Sequence, residues 1–129
     1  MGLNPFHEDA GRFFEAVKTR DRSTFDTYFV ETDDFFAVLP DGRHYSKASE
    51  FFKTQDHWFN GKNGAFQYEI KNCFPTPDSA LVGAEVKYQD KNAKGEDFVL
   101  TLYISLLIKK DGQAYRIQHV QNSFYEGAA

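Results

Sequence analysis

The sequence predicts an α+β domain in which N-terminal helices pack on an antiparallel sheet. Three observations predict it. Apolar residues recur at helical spacing early in the chain, as at Phe6, Ala10, Phe13, Phe14 and Val17. Four long strand-like segments fill the second half. Only turn-length connections separate those segments, so they form a meander without crossovers, and helices first with sheet second is the α+β order.

Residues 5–20 read as the first helix. Pro5 suits a first helical turn and Asn4 is the cap candidate before it. Arg20-Asp21-Arg22 breaks the pattern, and Ser23 is the expected cap of a short second helix carrying Phe25, Tyr28 and Phe29. Phe35 to Leu39 make a short strand that ends in the turn residues Pro40-Asp41-Gly42. Ser46 is the expected cap of a third helix with the face Ala48, Phe51, Phe52, Gln55, Trp58 and Phe59, ended by Gly61 to Gly64. The long strands are expected at Ala65–Phe74, Ser79–Gln89, Asp97–Lys109 and Gln113–Phe124. Pro77-Asp78, the polar loop 90–96 and Asp111-Gly112 separate them. The 129 residues make one domain, 1–129, with 126–129 as a frayed tail.

The aromatic share is 17%, with fourteen Phe and seven Tyr, so rings dominate the core and leave room for a cavity. The net charge of −4 and the lack of a basic cluster argue against a nucleic-acid partner. Cys73 is the single cysteine, which excludes an internal disulfide. His7, His44, His57 and His119 have no metal-ligand spacing, and no Gly-rich phosphate loop is present, so neither metal nor cofactor is expected. No apolar run reaches spanning length and no signal-like segment opens the chain, so the expectation is a cytoplasmic protein with no membrane contact.

Two strands carry functional information. From Phe98 to Ile108 both parities are largely apolar, so both faces of this strand need cover. The helices supply one cover, and a second copy of the chain is the simplest source of the other, which predicts a homodimer through the sheet. The alternative is cover by the C-terminal segment, though little chain follows Phe124. In the last strand, strict alternation puts Tyr115, Ile117, His119 and Gln121 on one side. That face starts apolar and ends with an imidazole and an amide, as the wall of a pocket would.

The order of elements resembles the nuclear transport factor 2-like superfamily and, within it, the SnoaL-like group. The resemblance rests on Asp21, Phe25 and Tyr28-Phe29, on Asp34-Phe35-Phe36, and on Pro40-Asp41-Gly42 with the helix running to Trp58. Its last part is Tyr115-Arg116-Ile117-Gln118-His119-Val120-Gln121-Asn122-Ser123, which looks like the group's closing Trp-Arg-Ile-x-His-x-His-x-Ser strand. Tyr115 stands for the usual Trp and Gln121 for the second His. The resemblance implies a cystatin-like cone, a curved sheet around a long helix with an internal pocket, and dimers packed through their sheets. It spans isomerases, cyclases, dehydratases and association domains, so fold alone does not choose a function. Matching to ketosteroid isomerases puts Leu39 where they carry the Asp base and Phe13, beside Phe14, where they carry the oxyanion-binding Tyr. Leu and Phe can neither take a proton nor stabilise an enolate, so that chemistry by those residues is not expected.

The function expected is binding of a mostly apolar or aromatic small molecule, with proton transfer next to a carbonyl as the reaction if one occurs. The alternative is a non-catalytic dimerisation or association module. His119 is the candidate base, or else a core histidine satisfied by its neighbours. Candidate ligand-binding residues are Phe14, Gln55, Trp58, Tyr68, Tyr103, His119 and Gln121. Trp58 is either core filler or a ring platform, and Tyr68 and Tyr103 face either the cavity or a dimer interface. Asp56-His57 reads as a solvated helix edge and Glu85 as solvent-facing. Cys73 reads as structural.

Overall fold

The computed structural model describes residues 5–29, 35–61 and 64–124, with the side chains of His57 and Phe124 outside the description. Its elements are α1 (Pro5–Thr19), α2 (Arg22–Thr27), β1 (Phe36–Val38), β2 (His44–Tyr45), α3 (Ala48–Asn60), β3 (Ala65–Pro75), β4 (Ser79–Lys91), β5 (Asp97–Asp111) and β6 (Ala114–Phe124). Helices pack on one face of a curved six-stranded sheet of order β2-β1-β6-β5-β4-β3. The α+β class and the four-strand meander stand as expected.

The sheet is mixed, which corrects the expectation of a purely antiparallel one. β1 pairs in parallel with β6, Ala37 opposite Val120, and antiparallel with β2. Neither β2 nor the β1–β6 pairing was visible in the sequence, because two- and three-residue strands carry too little period-two signal. Two helix caps also differ. Asp21, not Ser23, caps α2: its carboxylate accepts from the Thr24 N–H at 3.2 Å, the Thr24 hydroxyl at 2.7 Å and the Ser23 hydroxyl at 3.0 Å. These hydrogen bonds, Thr24 first, hold the Asp21 pKa below its ordinary value. α3 starts at Ala48 with Lys47 at the cap position and no side-chain cap, so Ser46 lies one residue too early. The proposed cap Asn4 and the motif residue Asp34 lie outside the described residues.

Alternation along β4 and β5 sets the core. Ala80, Val82, Ala84 and Val86 of β4 are buried, and their partners on β5 are Ile108, Leu106, Ile104 and Leu102. The even-numbered parity of β5 therefore faces the helices. Against it lies a cluster of rings, with Phe13 stacked on Phe25 at 5.4 Å and Phe25 against Phe59 at 4.7 Å. Phe14 and Phe25 are almost wholly buried. Burial of one such ring stabilises the fold by about 2–3 kcal/mol.

A buried polar knot orients α1. Asp9 accepts from the Tyr28 hydroxyl at 3.1 Å and from Arg12 Nη2 at 2.9 Å. Burial, then the neighbouring Asp9 carboxylate, pushes the Tyr28 pKa up to about 12. The Tyr28 carbonyl in turn accepts the Ile117 N–H at 2.7 Å, which ties the end of α2 to β6.

Two β-bulges break the alternation. The β3–β4 register skips Lys71, between Ile70 and Asn72. The β5–β6 register passes from Ile108 opposite Ile117 to Leu107 opposite His119, which leaves Gln118 extra. A bulge bends its strand and places two successive residues against one partner.

Candidate functional site

Between the helices and the sheet lies a half-open cavity of ≈ 280 Å³. Phe13, Phe14 and Val17 of α1 form one side, and Phe51, Thr54, Gln55 and Trp58 of α3 another. The sheet contributes Phe66, Tyr88, Leu102, Ile104, Val120 and Asn122. Leu39, Pro40 and the exposed Arg43 form the rim after β1. The lining is mostly carbon, with a few polar groups, as small-molecule pockets are.

Trp58 packs against the core and lines the cavity. Its Nε1 donates to the Val17 carbonyl at 2.6 Å, and the Arg20 guanidinium covers its ring at 3.7 Å. Arg20 also donates from Nε to the Trp58 carbonyl at 2.9 Å. Its backbone, at φ 59°, is the left-handed end of α1, where the Arg20 N–H donates to the Val17 carbonyl at 3.2 Å and the Asp21 N–H to the Ala16 carbonyl at 2.8 Å. Tyr88 meets Trp58 edge-on at 5.5 Å and donates its hydroxyl to Asp90. Burial and then Asp90 push the Tyr88 pKa up to about 12. Thr54 Oγ1 donates to the Phe51 carbonyl at 2.6 Å and accepts from Gln55 Nε2 at 2.9 Å. Asn122 stands apart, because its Oδ1 is buried with no hydrogen-bond partner.

Of the residues the sequence singled out, Phe14, Gln55 and Trp58 come together on the cavity wall. Tyr68 lies outside the lining: its ring stacks on Phe14 at 5.5 Å and its hydroxyl donates to Glu15 Oε1 at 2.9 Å. Tyr103 is on the opposite face of the sheet, 40% exposed, with its hydroxyl 3.4 Å from Glu85 Oε2.

His119 and Gln121 require correction. The bulge at Gln118 puts both on the outer face, paired with Leu107 and Ser105 of β5, while Val120 and Asn122 point inward. His119 Nδ1 lies 2.8 Å from the Phe36 carbonyl, and its ring stacks on Phe36 at 5.6 Å and 9°. A carbonyl only accepts, so Nδ1 carries the proton. An imidazole on that face cannot act as a base on a molecule in the cavity. The described cavity lining holds no Asp, Glu, His, Lys or Cys.

Asn122 was missed because strict alternation was extended through the bulge. The signal was present: Ile117 and Val120 are three apart, which period two does not allow.

The other candidates fall away from the cavity. Asp56 Oδ1 accepts from Arg22 Nη1 at 2.8 Å, and the His57 side chain lies outside the described residues. Burial pushes the Cys73 thiol pKa up, which disfavours the thiolate. Among the described residues no group of three or more His, Cys, Asp or Glu side chains could hold a metal ion, and no helix is long and apolar enough to cross a membrane.

The outer face of the sheet is the second notable surface. Phe36, Phe74, Leu81, Val99 and Tyr103 are the large hydrophobic residues exposed among those described, and register places all of them there. Val99 is 58% and Phe74 64% exposed.

No family model matches the chain. No curated protein matches it either. Solved structures do. A ketosteroid isomerase-like protein from Erwinia carotovora atroseptica superposes with TM-score 0.74 at 17% identity, over 93% of each chain. A nuclear transport factor 2-like superfamily protein from Salmonella enterica serovar Typhimurium gives 0.71 at 15%, over 95% of this chain and 89% of that one. The CaMKII hub of S. rosetta gives 0.71 at 17%, over 97% of this chain and all of that one, 100%.

Proposed function

We propose, from the nuclear transport factor 2-like fold as premise, that this domain binds a small, mostly apolar, ring-bearing molecule in its cavity. The observation that carries the proposal is the ring-lined space of ≈ 280 Å³ with few polar groups in its wall. Such a volume suits a molecule of one or two rings. Binding without turnover is favoured over proton transfer. The described lining holds no Asp, Glu, His, Lys or Cys, and the Tyr88 pKa stands at about 12, so no general base for a reaction near neutral pH is among these residues. Membership of the SnoaL-like group rests on the motifs between Asp21 and Trp58 and on the closing strand from Tyr115 to Ser123. Calorimetric titration with bicyclic aromatic compounds tests the proposal. Saturable heat that Ile104→Phe abolishes by filling the space supports it, and no heat with any such compound removes it.

A second observation favours self-association by the same domain. The apolar side chains on the outer sheet face form a surface of the kind that marks interaction sites. The association domain of C. elegans CaMKII has a similar fold. Copies of this chain therefore pair sheet to sheet, and the expectation is a homodimer at micromolar concentration in sedimentation. A monomer there refutes it.

A further inference from the structure

The registers of five strands place one row of side chains across the outer face of the sheet. Phe36 of β1 pairs with His119 of β6, His119 with Leu107 of β5, Leu107 with Leu81 of β4, and Leu81 with Phe74 of β3. Paired residues point to the same side of a sheet, so the five stand side by side over about 19 Å at the usual strand spacing. Phe36, Leu81 and Phe74 are exposed, and His119 and Leu107 are half-buried. The row is carbon but for one imidazole.

A second copy of the chain suits this face. Beside the row, Glu69 and Glu85 pair across β3 and β4, with Lys87 on the same face and Lys71 Nζ 3.2 Å from Glu69. Both signs share the patch, so a two-fold axis can set each charge against its opposite, whereas a face of one sign would repel its own copy.

His119 sets a condition on that contact. Its Nδ1 proton is held by the Phe36 carbonyl, so a second proton adds at Nε2 and brings a charge. The neighbouring groups do not offset that charge. The described residues of β1 bring nothing titratable. From β2, the His44 ring meets Phe36 at 5.7 Å. On the same face, β5 brings Ser105 and Lys109, and β6 brings Gln121 and, opposite Lys109, Arg116. None of these is a carboxylate. Between two copies, an imidazolium would lose its water with only cations and neutral groups of its own chain beside it. A two-fold pair contains His119 twice.

We propose that two copies of this chain meet along the row that runs from Phe36 through His119 to Phe74, and that acid separates them by charging His119. The inference rests on the sheet-to-sheet pairing proposed above and adds its seam and its control by pH.

The test is sedimentation of the whole chain at two pH values and one ionic strength, with circular dichroism to establish folding at each. Between about pH 8 and about pH 5.5 an imidazole passes from neutral to charged while most carboxylates stay ionised. A cost of about one decade in each copy raises the dimer Kd about a hundredfold at the lower pH. His119→Phe and His119→Gln should pair equally at both pH values, and His44→Gln should keep the wild-type dependence. Equal or tighter pairing of the wild-type chain in acid overturns the inference and leaves the dimer standing. A pH dependence that survives in the His119 variants, or pairing lost from them at both pH values, also overturns it. A wild-type monomer at both pH values removes the inference together with the self-association beneath it, and leaves the row to a partner of another kind. Either His119 variant suffices if the other does not fold.

Discussion

Replacing Asn122 with Leu should make the unliganded protein more stable. The two side chains have nearly the same shape, so the change keeps the packing of β6 against β5. It removes a buried Oδ1 that has no partner. An unsatisfied buried acceptor costs about 1–3 kcal/mol, and a same-shape apolar replacement recovers much of that. For a 129-residue chain the unfolding entropy is about 0.27 kcal/mol per kelvin, so each kcal/mol moves Tm by about 4 °C. A gain of about 1–2 kcal/mol therefore raises Tm by about 4–8 °C. Thermal unfolding followed by circular dichroism, with urea melts for the free energy, measures it. Gln121→Leu is the control, because Gln121 is exposed on the other face and a surface change stays within about 0.5 kcal/mol. The opposite pattern, Asn122→Leu less stable and Gln121→Leu more stable, would mean that strict alternation holds and that the bulge is absent.

Other predictions follow from the same geometry. His119→Ala loses the hydrogen bond to the Phe36 carbonyl and the ring stack, so it should destabilise by about 1–2 kcal/mol in urea melts while ligand affinity stays within about twofold; a loss of binding would return the imidazole to the cavity. Gly64→Ala should cost about 2–3 kcal/mol, since φ is +90° and the added Cβ would lie 2.8 Å from the Gln89 carbonyl oxygen; a urea midpoint equal to wild type would refute the close approach. Leu81→Asp on the outer face should shift sedimentation to the monomer while circular dichroism stays that of the folded chain, because Leu81 is 49% exposed in the single chain. Tyr28, Tyr68 and Tyr88 should ionise near 12 in an absorbance titration, their pKa values raised first by burial. An unfolded Tyr ionises near 10, so the unfolded state loses its protons first. The stability these residues contribute is thus complete below about pH 10 and is lost as pH rises through about 12.

The sequence by itself determined the class of the fold, the order of the helices and of every strand but β2, and the ends of the long strands to within two residues. Those features rest on local chemistry: helical spacing from Phe6 to Val17, turn residues such as Pro77-Asp78 and Asp111-Gly112, and period-two alternation between them. It also supplied three cavity residues, Phe14, Gln55 and Trp58, because their places on helix faces follow from spacing alone. What only the tertiary structure decided is which side of β6 meets the cavity. One extra residue, Gln118, reverses every later side chain, so His119 went out and Asn122 came in. Which parity of β5 is exposed was likewise open, because both are apolar, until pairing with the buried Ala80 to Val86 alternation placed Val99 and Tyr103 outside. Sidedness in a sheet is a property of register between strands, and register is set by partners that a single segment does not contain.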